Sequence, residues 1–207
     1  MPDIRHIVFD VGNVLLHWER DRPFRSRIPD DAARNTFLAE ICTPEWHLAL
    51  DAGAPVDEAV AALSARHPDH APMIRAYRDA WLETIPGPVA ETPEILAALV
   101  EAGRDVTALT NFNQDLFEVT VAAYPFLTLF RGVTVSCLER MIKPGPAIYA
   151  RHAEAFGLTP AAILFFDDSP PNVDAARAAG WHSEIFTDAR KMRDDLARYG
   201  VPLARTA

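Results

Sequence analysis

The chain opens with a short, mostly apolar run, Ile4 to Phe9, which is ended by Asp10 and then Gly12. A run of this length between turn residues predicts a buried strand. Similar runs recur at Asp105 to Leu109, Gly132 to Val135, Ile163 to Phe166 and, more weakly, His182 to Phe186. The segments between them carry helical periodicity. Thr92 is placed to cap a helix with Pro93 at its first position, Ile95, Leu96, Leu99 and Val100 on one face, and Gly103 as its stop. Pro146 to Phe156 repeats the pattern before Gly157, Val173 and Ala176 precede Gly180, and Asp188 opens a last helix with Met192, Leu196 and Tyr199. Strands alternating with helices of this size predict an α/β fold whose core is a doubly wound, mainly parallel, Rossmann-like sheet.

One stretch breaks the alternation. From about Trp18 to about Pro88 the pattern is helical, with no strand. Asp30 is placed to cap a helix with Phe37, Leu38 and Ile41. A second helix carries Val56, Val60 and Leu63, and a third begins near Pro72 with Ile74, Tyr77, Trp81 and Leu82. The expected organisation is a catalytic α/β core over 1–15 and 89–207, with an all-helical cap inserted over 16–88. The stretch Pro86-Gly87-Pro88 is the expected return hinge.

Composition narrows the function without naming it. The 207 residues are 49% hydrophobic and 24% charged, as expected of a globular chain with a real core. The formal charge of −9 comes without any basic run, which argues against a nucleic-acid partner but leaves room for a small phosphorylated ligand. No apolar stretch approaches the ~20 residues of a membrane span and no signal-peptide pattern is visible, so a cytoplasmic location without membrane contact is expected. Cys42 and Cys137 stand far apart and in no metal-ligand spacing, which fits reduced thiols. The sequence carries no signal for oligomeric state.

Four short segments could carry chemistry. Asp10-Val11-Gly12-Asn13 follows the first strand, where open α/β sheets bind ligands. There the carboxylate can be a nucleophile or metal ligand, and Gly12 and Asn13 let backbone amides approach a phosphate. The same Asp could merely cap a turn. Thr110-Asn111 offers a hydroxyl, an amide and a backbone N–H at a second strand end, or a plain helix cap. Lys143 sits before Pro144-Gly145-Pro146, a rigid mount for an ammonium, although most lysines are solvated. Most telling is Ile163-Leu164-Phe165-Phe166 running straight into Asp167-Asp168. Two like charges beside an apolar sheet are costly without a cation, and hard oxygen ligands with no nearby His or Cys point to Mg²⁺.

Together these segments resemble the haloacid dehalogenase-like hydrolase superfamily of aspartyl-phosphate-forming phosphatases. The resemblance is to the branch with a helical cap after the first strand, which includes bacterial sugar-phosphate phosphatases. It implies a first strand flanked by the second and fourth, and Mg²⁺ held by Asp10, the Gly12 carbonyl, Asp168 and, directly or through water, Asp167. It further implies Asp10 as nucleophile. Gly12, Asn13, Thr110, Asn111 and Lys143 would bind the phosphoryl group, with Lys143 also orienting Asp10.

One departure matters. Most phosphatases of the superfamily carry an acid two residues after the nucleophile, and here that position is Gly12. Without another donor the departing oxygen leaves unprotonated, so rates would depend steeply on the leaving group. A flat dependence would instead mean that another residue, His17 or Glu19, supplies the proton. A 2-haloacid dehalogenase is the competing enzyme, but attack on carbon gains nothing from paired carboxylates. A silent phosphate-binding module is the other competitor. His67 and His70, split by Pro68, read as a polar helix junction, and Trp46, His47 and Trp81 read as packing of the cap.

Overall fold

A computed structural model describes residues 2–201 and 203 of the chain. Residues 1, 202 and 204–207, which fall at the ends of the expected core, lie outside the described residues. Five parallel strands form one sheet: β1 His6–Phe9, β2 Asp105–Thr110, β3 Val133–Val135, β4 Ile163–Asp167 and β5 His182–Ile185, in the order β3-β2-β1-β4-β5. The first strand is therefore central, between the second and fourth. Gly132 stands just outside β3, and its carbonyl accepts from Ala108 N–H at 3.1 Å.

Strand alternation divides the core into two layers. Val8, Leu109 and Phe165 point to one face and pack with Ile148, Tyr149 and Trp181. Ile7, Phe9, Val106, Ala108, Leu164 and Phe166 point to the other and join a larger cluster with Leu96, Leu99 and Leu196. Both faces are covered, which is why the strands read as apolar runs rather than alternating ones.

Between β1 and the next core helix, the described residues form helices and turns with isolated bridges of Leu16 to Gly12 and Pro88 but no further strand: α1 Asp31–Thr36, α2 Pro44–Asp51, α3 Val56–Arg66 and α4 Ala71–Asp79. Asp30 caps α1, its side chain accepting from Ala33 N–H at 2.7 Å. The helix then loosens into a π-turn over Phe37–Ile41 that buries Phe37 and Leu38. The third expected helix stops at Asp79, and Trp81–Thr84 form a 3₁₀ turn that leaves Leu82 exposed. The chain crosses back beside its own outward path: His17 N–H donates to the Gly87 carbonyl at 3.0 Å and Val89 N–H to Leu15 at 2.9 Å.

The remaining helices are α5 Thr92–Glu101, α6 Gln114–Ala123, α7 Ser136–Glu139, α8 Pro146–Phe156, α9 Pro170–Ala178 and α10 Ala189–Arg198. Thr92 is not the cap of α5. Glu91, in the left-handed region at φ 64°, precedes the helix, while the Thr92 hydroxyl donates back to the Val89 carbonyl at 2.9 Å. Asp188 does cap α10, accepting from Lys191 N–H at 2.8 Å. The described residues contain no helix long and apolar enough to cross a membrane.

Candidate active site

Register fixes the site. Phe9 pairs with Ala108 on one side and Phe166 on the other, so Asp10, Thr110 and Asp167 emerge together at the carboxyl edge of the central strands. Asp10 N–H donates to the Phe166 carbonyl at 2.9 Å, and its own Oδ1 accepts from Val11 N–H at 2.7 Å. Both bonds aim the carboxylate off the end of the sheet.

Lys143 ties the group together from inside. Its Nζ lies 2.9 Å from Asp10 Oδ1 and 2.6 Å from Asp167 Oδ2, with the side chain almost wholly buried. Asn111 mounts it: Asn111 Nδ2 donates to the Lys143 carbonyl at 3.0 Å, and Lys143 N–H donates to Asn111 Oδ1 at 2.8 Å. The Asn111 side chain thus also fixes the lysine, while the residue lines the cleft. Asp167 is fully buried and accepts from Ser169 N–H at 2.8 Å and from Asn172 Nδ2 at 3.0 and 3.1 Å, besides Lys143.

Asp168 completes an acidic trio. One carboxylate oxygen from each of Asp10, Asp167 and Asp168 lies within 4.8 Å of the others. Three carboxylates share one ammonium, and the imbalance shows in the titration of Asp10 and Asp168. Burial, opposed by Lys143 and reinforced by Asp167 and Asp168, pushes Asp10 up to about 7. Asp168 is also raised, first by burial and then by Asp167. Burial works against the Lys143 ammonium, but Asp10 and Asp167 outweigh it and raise its pKa. A divalent cation beside Asp10 and Asp168 would relieve the excess. The donor set is all oxygen, which suits Mg²⁺.

Asp10, Lys143 and Asp168 line a cleft of about 290 Å³, with Asp167 buried behind them. Its floor holds Asp10, Gly12, Thr110, Lys143 and Asp168; its roof comes from the helical segment, through Trp18, His47, Asp51 and Trp81. A Cβ on Gly12 would meet nothing within 4 Å. Asn13, at φ 54°, bends the loop back, its Oδ1 accepting from Trp18 N–H at 3.0 Å. That oxygen is committed to the turn, while the residue still lines the cleft.

The roof corrects one expectation. His47 and Trp81 face the cleft rather than serving only as packing, whereas Trp46 stacks edge-on against Tyr77 at 5.0 Å. Of the two alternative proton sources, His17 reaches the cleft; Glu19 instead pairs with Arg25 at 2.7 Å. Trp18, Asp51 and Asn172 were not singled out from sequence. The i,i+4 spacing of His47 and Asp51 was the visible signal for one helix face.

The model of the haloacid dehalogenase-like hydrolases matches residues 4–180. A phosphatase of Mycobacterium tuberculosis is 33% identical over 112 residues, 51% of each chain. The chain spans only 40%, 51% and 44% of three curated relatives it matches. Among solved structures, a haloacid dehalogenase-like hydrolase from Porphyromonas gingivalis superposes with a TM-score of 0.75 at 24% identity, covering 95% of this chain and 97% of that one. A family enzyme from Bacteroides thetaiotaomicron, solved with magnesium and inorganic phosphate, has a TM-score of 0.70 at 20% identity, covering 90% and 95%. Solved dehalogenases share the same fold. With sheet order, strand-end carboxylates and a family match over most of its length, the chain belongs to the haloacid dehalogenase-like hydrolases.

Proposed function

We propose that this chain is a Mg²⁺-dependent phosphomonoester hydrolase that works through an aspartyl-phosphate on Asp10, with a small sugar phosphate as the favoured substrate. The observation that carries the reading is the clustering of Asp10, Asp167 and Asp168 around a single buried lysine. That constellation suits an anionic substrate arriving with a cation.

Asp10 Oδ attacks phosphorus in line with the departing oxygen; water then attacks the phosphorus of the aspartyl-phosphate and frees Asp10. Lys143 holds Asp10 in place and faces the developing charge. Thr110 and the backbone amides of the Gly12-Asn13 loop are the fixed donors for the equatorial oxygens. Asn111 contributes by keeping Lys143 in position. Asp10, Asp168 and the Gly12 carbonyl would hold the ion. Asp167, with three protein donors already, supports Lys143 from behind and reaches the ion through water at most. When bound, Mg²⁺ supplies charge neutralisation between two anions that must approach each other.

The dehalogenase alternative shares the fold but has no use for this concentration of negative charge. The helical segment over 16–88 acts in this reading as a cap over the site, and its stacked aromatic rings suit a ring-shaped leaving group.

The test is hydrolysis of phosphate monoesters with Mg²⁺, with excess chelator and with Asp168→Ala. Activity is expected only in the native chain with Mg²⁺, and Ca²⁺ should substitute poorly because its looser coordination disturbs in-line geometry. Full activity in chelator would exclude the reading.

A further inference from the structure

The loop that carries Asp10 offers no acid at Gly12, yet the reaction needs a proton for the departing oxygen and a base for the water. The cleft has six ionisable lining groups: Asp10, His17, His47, Asp51, Lys143 and Asp168. Three of them form the charged cluster on the floor. His17 is exposed. His47 has its Nδ1 against the Tyr77 hydroxyl at 2.5 Å, and burial pushes it down to about 4, so it carries no spare proton near neutrality. Asp51 remains.

Asp51 comes from the helical segment, but its backbone is clasped to the sheet. Ser136 Oγ, at the start of α7, donates to the Asp51 carbonyl at 2.6 Å. Asn113 Nδ2, at the cap of α6, donates to the Ala54 carbonyl at 3.2 Å. Between them Gly53, at φ +109°, comes so close that a Cβ there would sit 2.9 Å from the Cys137 carbonyl. These contacts hold the end of α2 against the link after β3, at the same carboxyl edge of the strands as Asp10. The carboxylate is oriented from its own helix, with Oδ2 lying 3.5 Å from His47 Nε2. In the Nε2–H tautomer of His47, the Tyr77 hydroxyl donates to Nδ1 and the ring N–H faces Asp51.

We propose that Asp51 is the general acid and base of this site, standing in for the acid that Gly12 cannot supply. As Asp10 Oδ bonds to phosphorus, the bond to the leaving oxygen breaks. Its electron pair stays on that oxygen, which takes the Asp51 proton. Asp51, now a carboxylate supported by His47, takes a proton from water as the water oxygen bonds to phosphorus and the bond to Asp10 breaks. Inorganic phosphate leaves and Asp51 is again protonated. Burial, opposed by Lys143, raises its carboxyl to about 7, which suits a group that must both give and take a proton near neutral pH. The ionisable groups around it are His47 and Tyr77 from the helical segment and Lys143 and Cys137 from the sheet side.

The inference rests on the phosphatase reading, and one experiment separates the two. We would measure kcat/KM with Mg²⁺ on p-nitrophenyl phosphate, whose leaving group needs no proton, and on cyclohexyl phosphate, which is similar in size but needs one. Asp51→Asn is expected to lose about 10²–10⁴-fold on cyclohexyl phosphate and little on p-nitrophenyl phosphate. It should also release a burst of nitrophenol before a slow steady state, because water attack has lost its base. Asp51→Ser, a smaller side chain without an acidic proton, must give the same split if Asn disturbs the fold. Equal losses on both esters, or none on cyclohexyl phosphate, would overturn the role of Asp51 and leave the phosphatase reading standing. A wild-type chain that hydrolyses neither ester would overturn both.

Discussion

At the scale of single residues, the site is governed by one buried ammonium among three carboxylates. Removing it leaves Asp167 wholly buried without its cation. Lys143→Met is therefore expected to cost about 3–5 kcal/mol of stability, the penalty of breaking a buried pair from one side, besides abolishing turnover. Urea unfolding of the metal-free protein measures it, and an unchanged midpoint would show that Asp167 is not held this way. Gly12 offers a second handle, because a side chain there meets open space and its backbone is outside the left-handed region. Gly12→Asp in the Asp51→Asn background should recover at least tenfold of the loss on alkyl phosphates, a small share of what general acid catalysis usually provides. No recovery would count against a missing proton as the cause of the defect.

At the scale of elements, α8 is locked to the sheet by a histidine that must stay neutral. His152 Nε2 lies 3.0 Å from Thr107 Oγ1 on β2, and Nδ1 lies 2.8 Å from Thr134 Oγ1 on β3. One threonine hydroxyl donates and the other accepts, which satisfies a neutral ring completely. Burial, aided by Arg131, pushes its pKa down to about 3 from an ordinary 6.5. Between those values the unfolded chain binds a proton that the folded chain refuses, so this contribution is complete above about pH 6.5 and is lost as pH falls toward 3. The stability difference between wild type and His152→Gln should therefore shrink by a few kcal/mol over that window, and a pH-independent difference would contradict it. The strands and most helices were legible because buried parallel strands need apolar runs and helix stops need glycine. The start of α5 was not, because the left-handed turn at Glu91 is set by how the chain returns under Leu15 rather than by any local preference. The π-turn after α1 likewise follows from burying Phe37 and Leu38 together.

At the scale of the whole molecule, the floor of the site was legible and the roof was not. Asp10, Thr110, Asp167 and Asp168 stand at strand ends, where a run of apolar residues points directly to them. Asp51 acquires its meaning from a contact with Ser136, 85 positions along the chain, which periodicity cannot reveal. The same docking carries a prediction. Gly53→Ala puts a Cβ against the Cys137 carbonyl in a backbone conformation that L-residues avoid, so α2 should be pushed off the sheet. Stability should fall by about 1–3 kcal/mol and turnover should fall with it, while the metal site keeps its affinity for Mg²⁺. Lost Mg²⁺ binding in that variant would mean that the roof shapes the floor. Turnover in this site depends on a bond between phosphorus and one carboxylate. Quenching the Asp51→Asn protein in acid during hydrolysis of p-nitrophenyl phosphate with Mg²⁺, and mapping the peptides by mass spectrometry, tests it most directly. One phosphoryl group on Asp10 is the predicted result, absent when Asp10 is also replaced by Asn; steady turnover by the Asp10→Asn protein, or a phosphoryl group on any other residue, would contradict it.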